Sequence, residues 1–305
     1  GVAKCARELG IDIAIDLSGL TEDSRVGIFS HRAAPIQVNY IGYPGTSGAD
    51  FMDYIIADSV VIPEISRELY TEKVAYLPDT YMVDDSSRTP SQKAFNRREF
   101  GLPEKGFVFS CFNNSYKFNS EVVQSWARIL SRVTDSVIWI SENNSTFKKN
   151  LQHEFEKLGI NPQRVIFASK VDMMEDHLAR LALADLFLDT SPYNAHTTAL
   201  DALKAGVPVI TKIGNAFAGR VAASLLKAIE LPELVTRTSQ AYENLAVELA
   251  LNPQKLREIK ERLSRNRLSA SLFNTSLFTK NIETLFSRMH DRYLRGLSPD
   301  HLIDV

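Results

Sequence analysis

The chain has 305 residues, 44% hydrophobic and 24% charged, an ordinary globular composition with room for two domains. Its 35 Lys and Arg stand against 37 Asp and Glu, a net charge of -2 with both signs mixed along the chain, which argues against a nucleic-acid backbone as partner. Two cysteines, no apolar run near the ~18 residues of a membrane span and no leader-like start argue against a disulfide framework and a spanning helix, and for a reducing, cytoplasmic setting.

Residues 2–9 read as a helix leading into a strand. The first residue is Gly1 rather than Met, so we expect the chain to be part of something longer. Four short apolar runs follow: "IDIAIDLSG" (11–19), "IQVNYIGYPG" (36–45), "DYIIAD" (53–58) and "KVAYLP" (73–78). Bounded by Gly, Pro or Asp, they predict buried strands. Parallel strands need crossover segments, usually helical. Only the first helix accompanies these four, so a lobe over 1–90 is expected to be partial, with its first half upstream. "TYMVDDSSRTPSQKAFNRREFG" (80–101) is polar, with Ser, Pro and charge, and is the linker candidate.

From residue 106 the pattern turns regular. "GFVFSCF", "SVIWIS", "RVIFAS", "DLFLDT" and "VPVIT" predict strands. Between and after them run helical patterns: "NSEVVQSWARILSRV", "FKKNLQHEFEKLGI", "MEDHLARLALA", "HTTALDALKAG" and "AFAGRVAASLLKAI". In the first of these Val122, Trp126, Ile129 and Val133 share one face. Five alternations of strand and helix predict an α/β doubly wound parallel sheet over 91–285. Residues from about 239 read as helical, the last helix being long enough to cross to another lobe, with 286–305 as a helical tail.

In such sheets ligands bind outside the carboxyl ends of the strands. The polar loops "NNSYK", "SENNST", "SKVDMMEDH" and "SPYNAHTT" fall there. The last opens a helix, where free N–H groups and the macrodipole attract an anion such as a diphosphate. His196, Thr197 and Thr198 add polar side chains, and Asp201, one turn on, suits ribose hydroxyls. Thr198 and Asp201 equally form a capping-box-like pair and Asn194 is a good cap, so capping and anion binding both stand. Lys117 places a cation near a phosphate oxygen or is a solvated surface lysine. His177 starts a helix, beside a base or sugar or as a structural donor. The turn "IGYPGTSG" (41–48) lets a ligand approach its backbone but has neither the P-loop nor the dinucleotide spacing of glycines. No paired Asp-x-Asp suits a metal, which favours cations and a helix start as the partners of a leaving group.

Together the segments "DLSGLTEDSR", "RAAPIQVNYIGYPGTSGADFMDYIIAD", "CFNNSYK", "YNAHTTALDALKAGVPVIT", "GRVAASLL" and "LFNTSLFTKNIETLFSRM" resemble the catalytic region of the O-linked N-acetylglucosamine transferases, glycosyltransferase family 41. The resemblance covers nearly the whole chain. It implies a GT-B fold of two Rossmann-like lobes, a UDP-sugar donor, inversion at the anomeric carbon without a metal or other cofactor, and a Ser or Thr hydroxyl on a protein as acceptor. It also implies tetratricopeptide repeats upstream. By motif, Lys117 and the triplet His196, Thr197, Thr198 match the diphosphate contacts, Asp201 the ribose contact, His177 a uridine neighbour and Gly42 a turn close to the sugar. Asn114 stands where animal members have Gln, Met174 where they have Lys, and Tyr193 where they have Cys. The family's acceptor-side histidine would lie upstream of residue 1, so no catalytic base is assigned. The alternatives are a GDP-fucose transferase of the same family, a UDP-sugar epimerase, or a non-catalytic nucleotide-binding module.

Overall fold

The structure, a computed structural model, describes residues 1–303. The chain forms two compact units: Gly1–Asp84 with Ala216–Ala218 and the stretch from Asn274 onward, and Asp85–Asn215 with Gly219–Phe273.

In the first unit, helix α1 (Val2–Glu8) precedes strand β1 (Ile13–Asp16). A single turn, α2 (Gly27–Ser30), leads to β2 (Ile36–Asn39), followed by β3 (Tyr54–Ala57) and β4 (Lys73–Tyr76). The four strands are parallel and lie in sequence order. Every residue of β2 and β3 is buried, which explains their unbroken apolar runs. The crossovers are the turn α2, the Gly-rich loop and a 3-10 turn at Glu64–Leu69, so short turns and loops join these strands in place of long crossover helices.

The second unit carries β5 (Phe107–Cys111), α3 (Ser120–Arg132), β6 (Ser136–Ser141), α4 (Ser145–Lys157), β7 (Val165–Ala168), α5 (Met174–Leu181), β8 (Leu186–Leu188), α6 (Thr197–Lys204), β9 (Val209–Lys212), α7 (Val221–Ala228), β10 (Val235–Thr236), α8 (Ser239–Leu251) and α9 (Pro253–Asn266). Its six strands are parallel in the order β10-β9-β8-β5-β6-β7. Helices start where Asn or Thr side chains accept the first free amides: Asn119 for α3, Asn144 for α4, Thr238 for α8 and Asn252 for α9. Trp126, Phe109, Trp139, Phe155 and Phe187 are fully buried against the sheet.

The long helix α10 (Thr275–Leu294) returns to the first unit. Phe278, Ile282, Leu285, Phe286 and Met289 follow helical spacing and pack on Ile36, Val38, Tyr54, Ile56 and Ala75. A helix remote in sequence therefore covers the sheet face left without a local one. Residues 274–285, placed by sequence with the nucleotide lobe, fold with this unit. Leu302 then adds a parallel bridge to the β4 edge, with Leu302 N donating to Val74 O at 3.0 Å and Tyr76 N to Leu302 O at 2.9 Å. Among the described residues no helix is long and apolar enough to cross a membrane.

Candidate functional site

The winding of the six-stranded sheet reverses between β5 and β8, the two central neighbours that are remote in sequence. At such a switch point the loops leaving the two strands part and open a crevice at their carboxyl ends. Asn113–Lys117 leave β5 there, and Asp189–His196 leave β8.

The loop after β8 is built around one buried carboxylate. Asp189 Oδ1 accepts from Thr190 N at 2.7 Å and Ala195 N at 2.6 Å, and its Oδ2 accepts from Thr211 Oγ1 at 2.6 Å. Burial pushes this carboxyl up to about 7, against the pull of those donors and of Lys117. Thr190 Oγ1 donates to Tyr193 O at 2.6 Å, Asn194 Nδ2 donates to Thr190 O at 2.8 Å, and Asn113 Nδ2 donates to Thr190 Oγ1 at 2.7 Å. The loop is thereby closed on itself and fastened to the end of β5.

Lys117 reaches into the same place. Its Nζ donates to Asn194 O at 2.7 Å and lies 4.2 Å from the centre of the Tyr193 ring. Burial pulls the ammonium down to about 8, and the negative charge of Asp189 offsets part of that fall. Lys117 is therefore a half-buried cation held in the crevice, unlike an ordinary solvated lysine. The Tyr193 ring also stacks on His196 at 5.1 Å and 24°.

Helix α6 begins just after this loop. His196 is its N-cap and gives no side-chain cap. The capping-box expectation fails here: the Thr198 hydroxyl donates to Asn113 Oδ1, Asn194 turns back to Thr190, and Asp201 pairs with Arg88. Among the described residues the amides of Thr197 and Thr198 donate to no protein group, while Ala199 and Leu200 already bond to His196 O. Thr197 is exposed. Two unspent N–H donors at the positive end of a helix thus lie next in sequence to the loop that carries the Lys117 contact.

The other predicted residues divide. Asp201 is buried, and burial raises its carboxyl while the Arg88 guanidinium lowers it. His177 sits in the first turn of α5, edge-on to Phe112 at 5.5 Å, with Nδ1 3.2 Å from Arg180 Nη2. Burial first, then Arg180 and Arg88, pull the imidazole down to about 4, so it is neutral at physiological pH. Arginine has no acceptor, so Arg180 donates to Nδ1 and the ring proton lies on Nε2. Asn114 is exposed and starts the 3-10 turn Ser115–Lys117. Gly42 belongs to the first unit, in the exposed turn after β2. A Cβ there would lie 2.0 Å from Leu17 O, so Gly42→Ala should destabilise this unit by about 2 kcal/mol, read as a lowered denaturation midpoint.

Sequence reasoning missed three residues in this region. Asp189 fell inside the predicted strand "DLFLDT", Arg88 inside the linker candidate and Arg180 inside a predicted helix, with no role assigned to any of them. Arg180 is buried, donates to Ser169 O and faces the rings of Phe100, Phe112 and Trp139. Its place three residues after His177, on the same helix face, was the available signal. Among the described residues no three His, Cys, Asp or Glu side chains come together as metal ligands.

Comparison with known proteins agrees with this geometry. A solved O-GlcNAc transferase variant from Thermobaculum terrenum superposes with a TM-score of 0.85 at 32% identity, over 94% of this chain and 54% of that one. An Anabaena protein crystallised with UDP matches at a TM-score of 0.61 and 16% identity, over 94% of this chain and 82% of that one. That second likeness shows the fold alone, and the fold is of the GT-B type. A probable UDP-N-acetylglucosamine–peptide N-acetylglucosaminyltransferase of Arabidopsis thaliana is 38% identical over 98% of this chain, and its Caenorhabditis elegans counterpart 27% over 96%. The chain spans only 31% and 35% of those two proteins. The family model described as Glycosyl transferase family 41 matches residues 2–90 and 87–282, and the chain belongs to that family.

Proposed function

We propose that the chain is the donor-binding catalytic region of an inverting glycosyltransferase. It moves N-acetylglucosamine from UDP-N-acetylglucosamine to Ser or Thr hydroxyls of proteins. One observation carries the reading: unspent amides at the start of α6 adjoin a loop that holds a half-buried lysine, at the switch point of the sheet. That arrangement suits a diphosphate.

In this scheme the acceptor oxygen forms its bond to the anomeric carbon as the bond to the diphosphate oxygen breaks. The electron pair leaves on the diphosphate. Lys117, the amides of Thr197 and Thr198, and the Thr197 hydroxyl meet the charge that develops there. Asp201 accepts from ribose hydroxyls, His177 presents Nε2–H towards the base, and Asn114 borders the diphosphate. The hydroxyl proton goes to a base that these residues do not include. We place the region in a cytoplasmic protein whose upstream part carries tetratricopeptide repeats and helps select the protein acceptor.

Calorimetric titration with UDP, GDP and inorganic pyrophosphate tests the donor. UDP should bind at least about tenfold more tightly than either of the others, a difference of about 1.4 kcal/mol. Tighter binding of GDP would transfer the reading to a GDP-sugar, and no binding of UDP would remove it.

A further inference from the structure

The segment 85–93, polar enough to read as a linker, is fastened along two helices that carry candidate site residues. Lys204, at the end of α6, donates Nζ to Asp85 O at 2.9 Å. Ser91 N donates to Glu175 O at 2.9 Å, and Lys93 pairs with Asp176, both in the first turn of α5. Between these two anchors Arg88 reaches the Asp201 carboxylate across 113 positions of sequence. The two side chains are 25% and 9% exposed, so this pair is largely withdrawn from water, where a charge-assisted bond is strong. Arg88 Nη2 takes Asp201 Oδ1, and Oδ2 receives no hydrogen bond among the described residues. The Arg88 charge is also felt at His177 on α5.

We propose that Arg88 is a positioning residue for the ribose of the donor: it holds Asp201 as a fixed anionic acceptor with one oxygen left for a hydroxyl. The proposal rests on the donor-site reading above. Without the guanidinium, Asp201 would be a buried carboxylate with no side-chain hydrogen-bond donor among the described residues and only the charge of Lys204 to offset its burial. It would then either take up a proton or swing away, and in both cases it stops accepting from a hydroxyl.

The test compares UDP with 2′,3′-dideoxy-UDP by calorimetry on the wild type, Arg88→Ala, Arg88→Lys, Asp201→Asn and the double variant. Thermal melting checks that each is folded. For Arg88→Ala we expect about a tenfold loss for UDP and less than about a twofold change for the dideoxy nucleotide, the difference one hydrogen bond makes. Arg88→Lys should recover part of the loss. In the Asp201→Asn background, removing Arg88 should cost little more, because both act on the same hydroxyl. Equal losses for both nucleotides, additive losses in the double variant, or a gain in UDP affinity would overturn the proposal while leaving the donor site standing. A wild-type chain that binds no UDP would sink the donor-site reading and this proposal with it.

Discussion

Lys117→Met is expected to weaken UDP binding about thirty- to hundredfold, the equivalent of about 2–3 kcal/mol for a charge-assisted bond to a phosphate oxygen, while leaving the chain at least as resistant to heat. The two halves of this expectation have one cause. Burial lowers the ammonium from 10.5 to about 8, so the folded chain bears a charge it would rather expose. Methionine has a similar length and no charge, and it fits the same slot against the Tyr193 ring without that penalty. The pH dependence follows with a definite sign. In the free protein Lys117 is charged below about 8 and neutral above it, so UDP affinity should hold up to that point and then fall by about tenfold per pH unit. Lys117→Met, already lacking the cation, should show no such fall. Calorimetry at about pH 6.5, 8 and 9.5, with a melting curve at each, checks both halves. A methionine variant that binds UDP as the wild type does would exclude Lys117 from the diphosphate site.

The sheet that carries the site was legible because burial on both faces leaves a plain trace. "SVIWIS" and "RVIFAS" are short apolar runs between amphipathic helices, and they became β6 and β7 with their edges displaced by a residue or less. Strand β10 was missed because Val235–Thr236 is two residues long and carries no periodicity. The loop after β8 was read as a candidate ligand loop, and its internal hydrogen bonding was misread. Thr198 and Asp201 have capping-box spacing, and local sequence cannot show that Asn113 and Arg88 claim their side chains first. The linker candidate from residue 80 does hold the boundary between the two units, after Asp84, but its exposure was misread for a related reason. Its composition says solvent, but Tyr81, Met82 and Asp84 are buried, and the pairing of Arg88 is decided by a residue far along the chain. Composition reports average exposure, whereas a site depends on which groups the fold brings together. The family motifs reached residues that local physics left ambiguous, among them His177, and still passed over Arg88, Arg180 and Asp189.

Substitution of Asp189 should be the most damaging change near the site, because one side chain holds three donors that have no other partner. Asp189→Ala leaves the amides of Thr190 and Ala195 and the Thr211 hydroxyl buried and unmet. At about 1–3 kcal/mol for each unsatisfied group, partly relieved by relaxation, we expect a loss of about 4 kcal/mol in urea unfolding and no measurable UDP binding. Asp189→Asn should lose about half as much, since its amide oxygen still accepts while its NH2 opposes a donor on the other side. The difference between wild type and the asparagine variant should depend on pH. Burial raises the Asp189 carboxyl from 3.8 to about 7, so between those values the folded chain holds a proton that the unfolded chain has released. Stability drawn from this group is then whole below the lower value and drains away as pH rises to the upper one. Asparagine does not titrate, and every other carboxylate is common to the two proteins and cancels. The gap in unfolding free energy should therefore be widest near pH 4, shrink towards pH 7 and stay level beyond it. A gap that widened over that range would mean that the three donors outweigh burial and hold Asp189 as an anion, which would make it a permanent counter-charge to Lys117.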